Sequence, residues 1–270
     1  MKILGQNFRC GFYDVSPNER LDAIKRAGFD SVMFWWGEEF EDTDGSRYDL
    51  TEYAFKIGLK INTVHFPSDH SDYLWRKETR RQYVEQLIKA IEDCSRYGFE
   101  NLVMHTTRRL ITPPYNEEGL IELSKAVRVA EREGVNIAVE NTRFPDYNKY
   151  IYDNINSPVL KLCYDCGHEH CYTPGRDILS EFGDRLITTH IHDNNGIEDQ
   201  HHLMGEGNIN YASIFRRLDE LNVKYYNLET YCNETSRYYN KISVGDFLKL
   251  AYNTLTALIE NCDCAKVKRG

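Results

Sequence analysis

Eight short apolar runs, most of them followed by a stretch with helical spacing, restrict most tightly what this chain can fold into. The runs are KILGQN (2–7), SVMFWW (31–36), KINTVHF (60–66), NLVMHT (101–106), NIAVEN (136–141), LKLCYD (160–165), LITTHIHD (186–193) and YYNLETY (225–231). Apolar runs of this length, bounded by polar residues, read as buried parallel strands. SPNERLDAIKRAGF (16–29) opens with Ser16 as N-cap and Pro17 at the first helical position, and closes on Gly28. RRQYVEQLIKAIEDCSRYGF (80–99) and NEEGLIELSKAVRVAEREGV (116–135) repeat that logic with Gly98 and Gly134, and NYASIFRRLDELNV (210–223) is a fourth case. The pattern recurs every roughly 25 to 40 residues, the size of one βα unit. No low-complexity linker or shift in composition divides the 270 residues. The expectation is one α/β domain over residues 1–270, a (β/α)8 or TIM barrel. An open doubly wound sheet is the competitor, and the lack of a glycine-rich fingerprint after the first run counts against it.

The formal charge of −9 attracts no polyanion. No apolar stretch approaches the roughly 20 residues that cross a bilayer, and MKILGQNFRCGF has neither a signal-peptide core nor a cleavage site. A cytoplasmic protein with no membrane partner is expected. The eight cysteines are scattered and read as reduced thiols packed as small hydrophobes. Cys262 and Cys264 form a CxC, but no second cysteine pair stands at zinc-site spacing.

A (β/α)8 barrel carries its active site at the C-terminal ends of the strands. There the runs deliver His65, His105, Glu140, Asp165 with His168 just beyond, His190 and His192, and Glu229. A single strand-end histidine is commonly a hydrogen-bonded loop residue. Six consecutive strands each supplying an imidazole or a carboxylate to one rim are not explained that way. Glu140, Asp165 and Glu229 facing one another in a partly dry pocket repel strongly, and a divalent cation removes that cost. The mixed donors suit Mn²⁺, Zn²⁺, Co²⁺ or Fe²⁺ better than an all-oxygen Ca²⁺ site. Four of the nine histidines lie in TTHIHDNNGIEDQHHLMGEGNI (188–209). Its DQHH segment can fold over the rim, bringing Asp199 and His201 to the same site.

These residues resemble the xylose isomerase-like superfamily, which includes sugar-phosphate isomerases and epimerases and the family 2 abasic-site endonucleases of the endonuclease IV kind. Four elements carry the resemblance: VEN at Glu140, DCGH at Asp165–His168, HIHDN…DQHHLMGEGNI over 190–209, and LET at Glu229. The resemblance implies that Glu140, Asp165, His190 and Glu229 hold one metal ion, with His190 matching the motif rather than His192. The endonuclease branch adds ligands for three zinc ions. These fall on His65, His105, His168, Asp199 and His201, with His70 a rival to His65.

The leading expectation is a Zn- or Mn-dependent sugar or sugar-phosphate isomerase or epimerase, acting through a metal-stabilised enediolate. Glu140 and Glu229 would move the proton, and His168 would hydrogen-bond a substrate oxygen. Trp35, Trp36 and Phe66 would wall the sugar unless they pack against helices, and Arg108, with Arg109, would hold a phosphate or carboxylate. The alternative is an endonuclease IV-like zinc phosphodiesterase acting on abasic DNA, with one to three ions as the discriminating count. The fuller ligand set favours it. The acidic balance, a first strand ending in GQNFRCGF and the loop TRFPDYNKY after Glu140 weigh against DNA. A metal-binding barrel without catalysis is the third class.

Overall fold

The structure, a computed structural model, describes residues 1–267, with side chains to residue 261. Its strands are β1 (Ile3–Asn7), β2 (Ser31–Trp35), β3 (Thr63–His65), β4 (Asn101–Met104), β5 (Asn136–Glu140), β6 (Leu160–Asp165), β7 (Leu186–Ile191) and β8 (Tyr225–Leu228). They close in sequence order into a parallel barrel, β1 pairing with β8. All eight expected strands are present, and the open sheet is excluded. The chain ends Cys262 and Cys264 lie outside the residues whose side chains are described.

The helices are α1 (Pro17–Ala27), α2 (Glu41–Asp44), α3 (Arg47–Lys56), α4 (Arg80–Tyr97), α5 (Glu117–Glu133), α6 (Asp146–Asn154), α7 (Cys166–Tyr172), α8 (Ile178–Phe182), α9 (Tyr211–Glu220) and α10 (Val244–Val267). α1 carries the complete capping box: Ser16 accepts from the Glu19 amide, and the Glu19 carboxylate accepts from the Ser16 amide. Gly28, Gly98 and Gly134 close α1, α4 and α5 in the left-handed conformation that glycine adopts without strain.

Alternation along each strand sorts the side chains. One set packs outward against the helices in the main core, as do Phe34, Val64, Leu102, Val139 and Leu228. The other points into the barrel, where Val103, Ala138 and Cys163 form a small apolar layer beneath the rim. The register aligns Asp165 with His190 and Trp35 with His65. The last inward residue of each of these strands therefore arrives at the same level.

Candidate metal centre

Glu140 and Asp165 end β5 and β6, His190 is the next-to-last residue of β7, and Glu229 directly follows β8. All four are buried, and one donor atom from each lies within 4.8 Å of the others. His190 Nδ1 is 3.0 Å from Glu229 Oε2, 3.2 Å from Glu140 Oε1 and 4.0 Å from Asp165 Oδ2. Yet neither His190 Nδ1 nor Glu140 Oε1 has a hydrogen-bond partner. Three buried carboxylates around an imidazole without hydrogen bonds are costly as a purely polar core. The donor set fits a divalent ion of the zinc or manganese kind.

Glu140 is shared with a second group. Its Oε2 lies 3.1 Å from His65 Nε2 and 3.0 Å from His105 Nε2, both buried. A third group sits at the rim, where Asp199 Oδ2 is 3.1 Å from His168 Nε2 and 3.2 Å from His201 Nε2. The ring tautomers carry a common signature. His65 Nδ1 faces the Phe66 carbonyl at 2.6 Å, His168 Nδ1 the Asn141 carbonyl at 3.0 Å, and His201 Nδ1 the Glu229 carbonyl at 3.0 Å. A carbonyl only accepts, so Nδ1 holds the proton in each. In the neutral ring Nε2 then aims a lone pair at a carboxylate. Either a second proton or a cation between them resolves that contact, and metal-binding histidines are oriented in this way by their outer nitrogen.

The electrostatics follow. Burial alone would raise Glu140, but the His190 and His105 imidazoles and the hydrogen bond with His105 hold it well below the usual carboxylate range. Asp199, also buried, is held far down by His201 and His168. His201 is pulled up to about 9, the Asp199 carboxylate overcoming burial. His168 rises well above its ordinary value for the same reason, with Asp165 and Asp199 facing it. His105 is lowered because burial outweighs Glu140.

The loop after β7 is built to place Asp199 and His201. Asp193 and His202 exchange main-chain hydrogen bonds of 2.7 and 2.8 Å, closing the loop between them. The Asp193 carboxylate ties down the returning chain by accepting from the Gly205 and Ile209 amides. A side chain at Gly207 would meet the Asn194 carbonyl at 2.1 Å, which explains the glycine there. His201 itself takes a left-handed backbone, φ 50°, to turn its ring inward.

Some expected residues are elsewhere. Phe66 and Trp36 do not wall the rim: each follows an inward residue, so both turn outward. Phe66 packs on Tyr83 of α4 at 5.4 Å, and Trp36 donates its indole N–H to Asp93 at 3.0 Å. Arg108 is exposed and turned to Asp69 at 3.5 Å, and Arg109 to Asp72 at 4.0 Å, so their charges are committed outside the donor groups. His70 is exposed and stacks on Tyr73, leaving His65 at the centre. Trp35 does reach the site, stacked on His65 at 4.0 Å with a buried indole N–H that has no partner. His192, expected at the rim beside His190, reaches it outside the four-donor group: its Nε2 meets Asp165 Oδ1 at 3.1 Å and its ring stacks on His201 at 4.0 Å. It stands two residues from His190, on the same strand face, a periodicity that marks it. Tyr172, Tyr231 and Asn141 also touch the groups, donating to Asp199, Glu229 and the Asp165 carbonyl; no sequence signal singles them out.

A family model described as "Xylose isomerase-like TIM barrel" matches residues 21–244. The uncharacterized protein y4fM of Sinorhizobium fredii is 28% identical over 277 residues, covering 85% of this chain and 87% of its own. Among solved structures, a D-tagatose 3-epimerase-like protein superposes with a TM-score of 0.75 at 24% identity, over 99% of this chain and 100% of its own. The IOLI protein, solved with a zinc atom, superposes with a TM-score of 0.74 at 18% identity, over 97% of this chain and 99% of its own. At these identities the likeness to solved structures carries the fold. No helix among the described residues is long and apolar enough to cross a membrane.

Proposed function

The chain belongs to the xylose isomerase-like TIM barrel family, and from that premise we propose that it is a divalent-metal-dependent isomerase or epimerase of a sugar or sugar phosphate. Glu140, Asp165, His190 and Glu229 would hold the ion, which would polarise the substrate's carbonyl and neighbouring hydroxyl. Glu229 takes the proton from the carbon beside that carbonyl. The observation that carries this reading is its geometry: Oε2 lies within the donor group, while Oε1 meets only the Tyr231 phenol, at 3.4 Å. The Glu229 oxygen that faces His190 is Oε2, so Oε1 is left for the substrate. Glu140, by contrast, has Oε2 taken up by two imidazoles and Oε1 turned into the donor group. We therefore assign Glu140 to holding rather than to proton transfer; Glu229 returning the proton on the same face gives isomerisation, whereas epimerisation needs an acid on the opposite face of the enediolate. His168 Nε2, 3.1 Å from Asp199 Oδ2, would exchange that contact for a substrate oxygen. Trp35 walls the sugar and offers its unpartnered N–H to a hydroxyl. The similarity to a D-tagatose 3-epimerase-like protein and to a zinc-bearing relative supports this choice of chemistry.

A second reading is a three-ion phosphodiesterase of the endonuclease kind. The observation favouring it is the orientation of His65, His168 and His201, each with Nε2 aimed at a carboxylate in a group beyond the first. The rim opposes a duplex, because Arg9, Arg108 and Arg109 are all turned to carboxylates and phosphate contacts dominate DNA affinity. The test is a panel of ketoses and ketose phosphates assayed for solvent deuterium uptake, beside cleavage of a duplex holding an abasic site, with ions counted by elemental analysis. Exchange that is lost in Glu229→Gln supports the isomerase. Zinc-dependent strand cleavage by a three-ion protein, without exchange on any sugar, replaces it with the second reading.

A further inference from the structure

We propose that Arg143 binds a terminal phosphate on the substrate, so that the enzyme acts on phosphorylated rather than free sugars. This deepens the isomerase reading and rests on it for the rest of the substrate. Arg143 lies on the loop between β5 and α6, three residues past Glu140. Its guanidinium carbon sits 3.8 Å over the ring of Tyr172. The same ring stacks against His168 at 5.3 Å, and its hydroxyl donates to Asp199 Oδ2 at 3.3 Å. Imidazole, phenol and guanidinium thus form a continuous stack that runs from the donor groups out to the half-exposed Arg143. A guanidinium lying flat on a ring keeps its N–H edge free in its own plane, the arrangement that grips a phosphate with two parallel bonds.

The charges around the rim make this arginine distinctive. Glu140, Asp165, Asp199 and Glu229 load the site with negative charge, so a phosphorylated substrate needs a fixed cation where its phosphate arrives. Arg9 is 3.5 Å from Asp44, Arg108 is 3.5 Å from Asp69 and Arg109 is 4.0 Å from Asp72. Among the described residues Arg143 forms no ion pair. An exposed cation–π contact is weak, too weak to hold the side chain against a phosphate that offers two charge-assisted bonds.

The test titrates inorganic phosphate into the metal-loaded protein by calorimetry, with Arg143→Ala, Arg143→Lys and, as a control for bulk charge, Arg81→Ala on the exposed face of α4. Arg143→Ala is expected to weaken phosphate at least tenfold, Arg143→Lys less, and Arg81→Ala not at all. With a phosphorylated ketose, Arg143→Ala raises KM and keeps kcat. Phosphate binding that is absent in the wild type, unaffected by Arg143→Ala, or weakened equally by Arg81→Ala overturns the proposal, even if sugar exchange is found. Arg143-dependent phosphate binding without exchange on any sugar keeps the anion site and removes the isomerase.

Discussion

Gly167→Ala tests whether His192 supports the metal centre through Asp165. Gly167 is the second residue of α7, and a Cβ there would lie 2.0 Å from His192 Cε1 and 2.5 Å from its Nε2. Carbon atoms rest about 3.5–4.0 Å apart, so the ring must retreat by about 1.5 Å. It is boxed in, with Nε2 on Asp165 Oδ1 at 3.1 Å and the ring stacked on His201 at 4.0 Å. Overpacking of this kind costs about 1–3 kcal/mol, while alanine over glycine in a helix returns about 1 kcal/mol. The net destabilisation is therefore about 0–2 kcal/mol. Disturbing an outer partner of a metal ligand costs about 10- to 100-fold in metal affinity, equivalent to about 1.4–2.8 kcal/mol. Metal affinity should thus fall while folding is nearly kept. Competition with a chelator measures the first, and thermal melting of the metal-free protein the second. A variant that melts higher, as an ordinary helix Gly→Ala would, and binds metal as tightly as the wild type would refute the reasoning.

Asp165→Ala should abolish tight binding of the ion in the four-donor group, and elemental analysis finding unchanged stoichiometry would sink that assignment. His105→Ala removes one of two imidazoles on Glu140 Oε2; any second ion should be lost while the first is kept, read by counting ions after dialysis. Metal-free stability should depend on pH through His201, raised from 6.5 to about 9 by Asp199 against burial. A raised histidine contributes fully below its unfolded value and loses that contribution as pH climbs through about 9. The metal-free protein should therefore melt lower at pH 9.5 than at pH 6.5, by calorimetry, and bound zinc should flatten the difference by replacing the proton. Glu140 and Asp199, both depressed, act at the other end: their contribution is present above the ordinary carboxylate range and lost as pH falls below it through their depressed values.

The barrel was legible because its signals are local. Apolar runs, Ser16 and the closing glycines are each read within a few residues, and strand order then follows from the parallel closure. The donor residues were legible for a related reason. A carboxylate or imidazole at the last inward position of a strand has nowhere to go but the rim, so Glu140 and Asp165 were placed by position alone, while His190 was preferred to His192 on the family resemblance. What failed was register. Trp35 with Trp36 and His65 with Phe66 are adjacent pairs, so one member of each must face the helices, and an apolar run that ends in two aromatics does not say which. Arg108 is a different case. Its place after β4 is right, but Asp69, on another loop, claims its charge, and such pairings exist only once the loops are assembled. The same argument explains why Arg143 was passed over. In TRF it is an unremarkable loop arginine, and only the fold lays it on Tyr172 beside His168. Positions set by the strand period can be read from the chain, whereas partnerships between loops cannot. A (β/α)8 barrel builds its site from strand ends and βα loops, so the groups that the strands carry are readable earlier than those that the loops assemble.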